Sequence, residues 1–343
     1  MEKTMSKILI ETVVKTTLNN LKDDPERSIR NLVDMALRFS DNQFQQDFFQ
    51  VAQTMLKNES SPYYALVRDL ISYADTDRLL QFGMALGYNS CTCGAQQIRS
   101  NEKRLGHNIP WTVLLQMDAG SQERFTQYDA VISEGEGLGV YTWMLFAPSA
   151  PEATLDLIRN HPDSAFFFFY EPQAQSASLI DGFSELKNLM PLLRYREEYA
   201  EGYARLRTLG IPYCVYYPYG QDDMAAICDG DLFVSIQQTG AVFTALIPRR
   251  DCPDAARWQV RQAVVQARNE QLYQTVPWEL EWDNRRIDEI ISGDACTVCF
   301  DRSGRLLDRD GSSMRPDLCL FEQGLAGVLR SACPKEISQV SAE

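Results

Sequence analysis

Apolar residues recur at helical spacing through the first hundred residues of the chain. Five of them fall on one helical face: Ile29, Leu32, Val33, Ala36 and Leu37. A further helix is predicted to begin with Ser61 as its N-cap and Pro62 in the first helical position. We therefore expect an N-terminal helical subdomain over residues 1–104. The polar stretch 94–110 at its end is typical of a loop.

After residue 110 the pattern changes to short apolar runs that alternate with helical segments. The strand-like runs cover residues 111–118, 140–147, 165–171, 186–195, 211–217, 241–248 and 276–283. Pro191 argues against the fourth run, because proline cannot donate a hydrogen bond within a sheet. Strands that alternate with helices favour right-handed βαβ units. The predicted fold class is therefore α/β, with a parallel sheet or barrel over residues 105–290.

The last segment of the chain, residues 291–343, begins with a predicted hairpin. Two strand-like runs, 297–300 and 305–307, flank the turn 301–304, which ends in glycine. We expect this hairpin and the tail that follows it to form a third, smaller part of the structure.

Composition and charge narrow the range of partners. Apolar residues make up 45% of the 343 residues, which is typical of a globular protein. The net charge is -14 and no basic stripe is present, so nucleic acid is not an expected partner. The sequence has neither the features of a signal peptide nor an apolar run long enough to cross a bilayer. We expect a cytoplasmic protein without a membrane partner.

Polar side chains follow several of the predicted strands. In a βα barrel the residues at the carboxyl ends of the strands form the functional face. Applied to this sequence, that rule gives a candidate pocket of seven residues: Gln116, Asp118, Glu171, Arg194, Arg196, Tyr217 and Arg249. Two carboxylates and several arginines could bind a polar ligand between them. The alternative, which we favour at this point, is ordinary pairing of charged surface residues.

Several common active-site patterns are missing from the sequence. The glycines at positions 135, 137 and 139 lie at the end of a predicted helix, where they cannot form a phosphate-binding loop. The chain has only two histidines, His107 and His161, and each is expected to be structural or solvent-facing. A serine hydrolase or a histidine-rich metal site therefore has few residues to use.

Nine cysteines, expected as thiols or metal ligands in a reducing compartment, are a further source of chemistry. Cys296 and Cys299 have the C-x-x-C spacing of a metal site, and Cys319 and Cys333 follow. Four thiolates could hold zinc or an iron–sulfur cluster if the fold brought them together. Because the second pair is widely spaced, separate buried thiols are the favoured alternative.

Parts of the sequence are similar to a group of bacterial proteins of the radical S-adenosylmethionine (SAM) superfamily. Residues 104–118 resemble the segment that leads into the first barrel strand of that group, and residues 132–144 resemble its first helix and second strand. Segments 161–170, 209–217 and 300–304 fall in similar places and in the same order. The resemblance implies a partial (β/α)6-type TIM-like barrel of the radical SAM kind, preceded by helices.

The sequence departs from this family at the residues that carry its chemistry. The family has a C-x3-C-x2-C loop after the first strand, which binds a [4Fe-4S] cluster; here residues 117–125 contain no cysteine, and none lies between Cys93 and Cys214. A Gly-Gly-Glu-Pro-like motif that binds SAM is replaced by Phe-Ala-Pro-Ser at 146–149. Thiolates hold such clusters, and the cluster supplies the electron that cleaves SAM. We therefore predict neither cofactor at the family position.

Three functions remain possible on the sequence alone. The first is a non-catalytic binding protein, whose partner is a small ligand or a catalytic radical SAM enzyme. The second is an enzyme of different, non-radical chemistry that uses Asp118, Glu171 and Arg196. The third is a metal-binding module built from the C-terminal cysteines. The first is preferred because it requires only the loss of residues, but fold alone does not determine function.

Overall fold

The protein is built around one nine-stranded, mostly parallel sheet that curls into a half-barrel. The computed structural model describes residues 5–21, 23–38, 50–118, 123–147, 153–171, 177–308, 315 and 317–335. The strand order is β7-β6-β5-β4-β3-β2-β1-β8-β9, and the pair β8–β9 is antiparallel. The strands are β1 (Thr112–Gln116), β2 (Thr142–Phe146), β3 (Ala165–Tyr170), β4 (Leu189–Arg194), β5 (Cys214–Tyr219), β6 (Phe243–Pro248), β7 (Val276–Glu279), β8 (Val298–Phe300) and β9 (Leu306–Leu307).

Helices precede the sheet and connect its strands. Those before β1 are α1 (Met5–Asn20), α2 (Pro25–Arg38), α3 (Pro62–Tyr73), α4 (Thr76–Gly83), a π-helix (Met84–Gly94) and α5 (Ala95–Leu105), and residues 50–55 are also helical. The later ones are α6 (Phe125–Leu138), α7 (Ala153–Asn160), α8 (Ala177–Phe183), α9 (Ala200–Thr208), α10 (Met224–Cys228), α11 (Asp231–Gln237), α12 (Asp254–Glu270), α13 (Leu280–Ser292) and α14 (Leu320–Ala332). Short 3-10 turns, Glu197–Tyr199 and Gln221–Asp223, precede α9 and α10.

Most residues of the central strands are apolar because both faces of the sheet are covered. All six residues of β3 are buried. The Phe167 ring on one face contacts Phe82 of α4, while Phe168 on the other face contacts Phe183 of α8. A parallel sheet that is buried on both faces needs continuous apolar runs, with no alternation of polar residues.

Contacts across the concave face show how strongly the sheet curls. The Phe167 ring of β3 lies 5.5 Å from the Trp278 ring of β7, although three strands separate β3 from β7. Asn284 of α13 donates its side-chain amide to the Met144 sulfur of β2 at 3.5 Å. Helix α13 therefore lies against the concave face, where side chains fill the space.

The α/β class and the parallel strand pattern are confirmed. The strand predicted over 186–195 forms as β4 with Pro191 inside it, paired with Phe168 of β3. Helix α3 begins as expected, with the Tyr63 backbone N–H donating to Ser61 Oγ at 3.2 Å. The hairpin is also confirmed, and β8 pairs in parallel with β1. In the described parts of the chain no helix is long and apolar enough to cross a membrane.

The predicted loop over residues 94–110 is wrong, because α5 occupies most of it. The buried residues of this helix are Ala95, Ile98 and Glu102. Because one of the three is a carboxylate, the sequence lacks the regular apolar spacing that predicts a helix. Glu102 Oε1 accepts a hydrogen bond from the Ile109 backbone N–H at 2.9 Å. Gly106 ends the helix in the left-handed conformation, which glycine adopts without strain.

Two further helices differ from the prediction. The strand expected over 276–283 stops at Glu279, whose side chain caps α13 by accepting a hydrogen bond from the Trp282 backbone N–H at 2.7 Å. In the tail, α14 packs on α6, where Glu134 accepts hydrogen bonds from the backbone N–H groups of Leu325 and Ala326 at 2.7 and 3.1 Å. The division of the chain at residues 104 and 290 stays a prediction.

Candidate functional site

The carboxyl ends of β3, β4 and β5 bring charged and aromatic side chains together at one edge of the sheet. Arg194, at the end of β4, is in register with Tyr216 of β5. Glu171 directly follows β3. Parallel strands end at the same edge, which is where ligands bind in open α/β sheets. We call Glu171, Arg194, Arg196 and Tyr216 the strand-end cluster.

Two arginines converge on one carboxylate oxygen in this cluster. Arg194 Nη1 lies 2.8 Å from Glu171 Oε1, and Arg196 Nη2 lies 2.6 Å from the same oxygen. The hydrogen bond from Arg196 and the positive charge of Arg194 hold the pKa of Glu171 below its usual value. The two arginine side chains remain 39% and 38% exposed. The cluster thus presents two guanidinium groups beside a carboxylate that stays ionised.

Tyr216 is the member of the cluster that sequence reasoning missed. Burial raises the pKa of its phenol, and the negative charge of Glu171 raises it further, so the hydroxyl remains protonated. The sequence rule selects Tyr217, the next residue along the strand. Neighbouring residues of a strand point to opposite faces. The register of Arg194 against its neighbour strand would have indicated Tyr216, but register is not readable from the sequence.

Aromatic rings lie directly beside the cluster. The Phe146 and Phe169 rings stack with their centroids 4.1 Å apart, and Phe169 meets the Tyr216 ring edge-on at 5.5 Å. These rings provide an apolar floor, and a lower local dielectric strengthens hydrogen bonds to charged groups.

Tyr217 and Arg249 belong to a second group, centred on Asp223. The Tyr217 hydroxyl donates to Asp223 Oδ1 at 2.8 Å, and Arg249 Nη1 lies 3.1 Å from Asp223 Oδ2. The Gly220 backbone N–H donates to Asp223 Oδ2 as well, at 2.8 Å. Three donors thus surround the Asp223 carboxylate, a residue that the sequence pattern did not single out.

Gln116 is the last residue of β1, in register with Phe146 of β2, and Asp118 follows the same strand. Asp118 Oδ2 is 3.1 Å from Arg302 Nη1, which belongs to the turn of the hairpin, and Gln116 is exposed. Of the seven predicted pocket residues, the structure therefore brings Glu171, Arg194 and Arg196 into mutual contact.

The four C-terminal cysteines do not converge on one point. Burial raises the pKa of the Cys296 thiol, and the neighbouring Cys333 raises it further. Cys319 instead directs its thiol to the Ser303 carbonyl oxygen at 3.6 Å, and Cys299 lies on β8 in register with Leu114. Within the ranges that the structure describes, no three His, Cys, Asp or Glu side chains are grouped so that they could hold a metal ion.

Both histidines are buried away from solvent. His107 is 1% exposed, and His161 is 5% exposed between Asp129 and Glu136, with nitrogen–oxygen distances of 3.3 Å to each. Of the two alternatives that the sequence allowed, solvent-facing is wrong and structural fits their burial.

Neither a scan against protein-family models nor a search of curated proteins finds a match for this chain. The chemistry of the site must therefore be judged from its own residues.

Proposed function

We propose that this protein is a non-catalytic binding protein, with a partial (β/α)6-type barrel of the radical SAM kind, whose strand-end cluster binds a small anionic molecule. The observation that carries this proposal is the convergence of Arg194 and Arg196 at the carboxyl edge of the sheet. The ligand class is a carboxylate or a phosphate.

The geometry of the two guanidinium groups supports an anionic ligand. Each guanidinium has five N–H donors and no acceptor, and its planar fork matches a carboxylate or phosphate. Arg194 and Arg196 each give one short hydrogen bond to Glu171, and more than a third of each side chain is exposed. Glu171 accepts a hydrogen bond from each arginine, and Arg196 Nη1 also lies 3.7 Å from the exposed Glu198 carboxylate, so Arg194 is the cation of this edge whose ion-pair partner among the described residues is Glu171 alone.

The same geometry argues against acid–base catalysis at this edge. A general base works best with a pKa near the operating pH. The two guanidinium groups lower the pKa of Glu171, so it accepts a proton poorly at neutral pH. Asp118 forms an ion pair with Arg302 of the hairpin turn. An enzyme of different chemistry built on Asp118, Glu171 and Arg196 is therefore the weaker alternative.

The donor set at this edge does not fit the cofactors of the radical SAM family. Guanidinium groups have no lone pair for a metal, and the segment from 94 to 213 contains no cysteine. An iron–sulfur cluster needs thiolates. The two guanidinium groups lie at the carboxyl ends of the strands, the same edge of the sheet at which the family's cluster loop follows the first strand. Their donors match an anion and not a metal, which supports binding instead of radical chemistry.

Binding can be tested with inorganic phosphate and with succinate as probes. We expect each probe to raise the Tm of the wild-type protein in a concentration-dependent manner, because a ligand that binds only the folded state stabilises it. The double variant Arg194→Gln with Arg196→Gln should lose this response at least about tenfold in apparent affinity, as expected for charge-assisted hydrogen bonds.

The matched control is Arg286→Gln, which removes an exposed arginine that pairs with Glu289 on α13. It should respond to both probes as the wild type does. Equal responses of the wild type and the double variant, or no response of the wild type to either probe, would contradict the proposal.

A further inference from the structure

Strand register places two phenylalanine rings on the same face of the sheet as the strand-end cluster. Phe169 lies two residues after Phe167, whose ring contacts β7 across the concave face, so Phe169 also points to that face. Phe146 of β2 is in register with Phe169, and Arg194 of β4 with Tyr216 of β5. The pairing of β3 with β4 puts Arg194 on the concave face as well. The cluster and the rings therefore line one concave surface.

Ring contacts connect the cluster to β2 without interruption. Tyr216 meets the Phe169 ring edge-on at a centroid distance of 5.5 Å. Phe169 in turn stacks on Phe146 with centroids 4.1 Å apart and 13° between the ring planes. Phe169 is buried, whereas Phe146, the last residue of β2, is half-buried. The Phe146 ring is thus the accessible end of an aromatic row that begins beside the arginines.

The concave face keeps accessible apolar surface around this row. Helix α13 covers the middle of β2, where Asn284 contacts Met144. Leu114 of β1 and Ile247 of β6 point to the same face by register, and both are half-buried. Small-molecule sites combine such apolar and aromatic surface with a few charged groups that orient the ligand.

We propose that the strand-end cluster binds an aromatic carboxylate, whose carboxylate group meets Arg194 and whose ring stacks on Phe146. This inference rests on the proposed function and names the chemical class of its ligand. Strands β2 and β4 are two strand spacings apart, about 10 Å, so a short alkyl spacer between the ring and the carboxylate suits the site.

The charges of the cluster favour a carboxylate over a phosphate. Glu171 already contributes one negative charge, so a doubly charged phosphate is repelled more strongly than a singly charged carboxylate. Arg194 gives Glu171 one hydrogen bond, through Nη1 at 2.8 Å, and 39% of the arginine side chain is exposed. A guanidinium has five N–H donors in a planar fork, which leaves donors for the two oxygens of the ligand.

The test measures the binding of three monocarboxylates to the full-length protein by isothermal titration calorimetry. They are 3-phenylpropionate, 3-cyclohexylpropionate and propionate. We expect 3-phenylpropionate to bind about tenfold more tightly than propionate and about threefold more tightly than the cyclohexyl acid. The cyclohexyl ring is at least as apolar as the phenyl ring, so a preference for phenyl reports stacking and not burial alone.

Two phenylalanine variants locate the ring. Phe146→Leu should abolish the preference for the phenyl over the cyclohexyl acid and leave propionate binding unchanged within about twofold. The matched control is Phe243→Leu, because Phe243 is half-buried on the same face but at the amino end of β6, where it contacts Trp278. That variant should keep the phenyl preference.

The outcomes separate this inference from the proposed function. Equal affinities of the wild type for the three acids, a preference for the cyclohexyl acid, or a phenyl preference that survives Phe146→Leu would overturn the aromatic ligand. In each of those cases anion binding at the arginines would still stand if phosphate or succinate binds. If neither these two probes nor any of the three acids binds, both proposals fail.

Discussion

Glu279 is a buried carboxyl group whose protonation is coupled to folding. It is 1% exposed, and it accepts hydrogen bonds from the Trp282 backbone N–H at 2.7 Å and from the Tyr219 hydroxyl at 3.1 Å. Burial raises its pKa to about 7. The folded protein therefore binds this proton more tightly than the unfolded chain does.

This carboxyl makes stability fall as the pH rises. Between the ordinary glutamate pKa of about 4.3 and the folded value, the native state binds more protons than the unfolded state does. The free energy of unfolding therefore decreases as the pH rises through this window, by ~3 kcal/mol in total. Glu279→Gln keeps an acceptor for Trp282 and should flatten this slope. Urea denaturation across that pH range measures the effect, and an unchanged slope in the variant would refute the assignment.

Asp288 connects the starts of two strands through three hydrogen bonds. Its carboxylate accepts from the backbone N–H groups of Trp111 and Cys296 and from Thr297 Oγ1, the last at 2.8 Å. Asp288→Asn would turn an N–H donor toward the Cys296 N–H, so we expect a loss of roughly 2 kcal/mol in the free energy of unfolding.

The control for that variant is Asp294→Asn, an exposed aspartate that accepts from the Asn108 side chain at 2.9 Å. Chemical denaturation at neutral pH compares the two. If the two variants had equal free energies of unfolding, the three hydrogen bonds of Asp288 would not stabilise the fold as proposed.

At the scale of the element, the sequence predicted strands better than polar helices. Strands such as β3 are buried on both faces, so their apolar runs are visible without any tertiary information. Helix α5 is polar because Gln97 and Asn101 donate their side-chain amides to carbonyl oxygens at the end of α6, including that of Gly137 at 2.8 Å from Gln97. Those partners are about forty positions away, and no local pattern reveals them.

Helix α14 provides a test of one such distant contact. Gly324 interrupts it at φ 70°, and Glu134 of α6 accepts from the two N–H groups that follow. Glu134→Ala should destabilise the helix by about 1 kcal/mol, as for loss of a capping residue. Hydrogen exchange at Leu325 and Ala326 should become faster.

The matched variant is Glu322→Ala, which removes an exposed acidic residue in the first turn of the same helix. It should leave exchange at residues 325 and 326 close to that of the wild type. Equal exchange in the Glu134 and Glu322 variants would show that the interhelical contact does not hold α14.

For the whole molecule, the α/β class was predictable, and the extension of the sheet by β8 and β9 beside β1 was not. The order of β1 to β7 follows the chain, as consecutive βαβ units require. Strand β8 pairs with β1 and so joins residues 298–300 to residues 113–115. The apolar pattern of either strand does not indicate which strand is its partner. The candidate site was predictable in part: the strand-end rule found Glu171, Arg194 and Arg196, but not Tyr216 or Asp223.

Anion binding in place of radical chemistry is the function that we propose for the carboxyl edge of the half-barrel sheet. The most direct measurement is anaerobic reconstitution of the protein with iron and sulfide, followed by incubation with SAM and a reductant. Because the segment from 94 to 213 supplies no thiolate, we predict that no 5′-deoxyadenosine forms. Its formation in amounts that scale with the reconstituted protein would contradict the account.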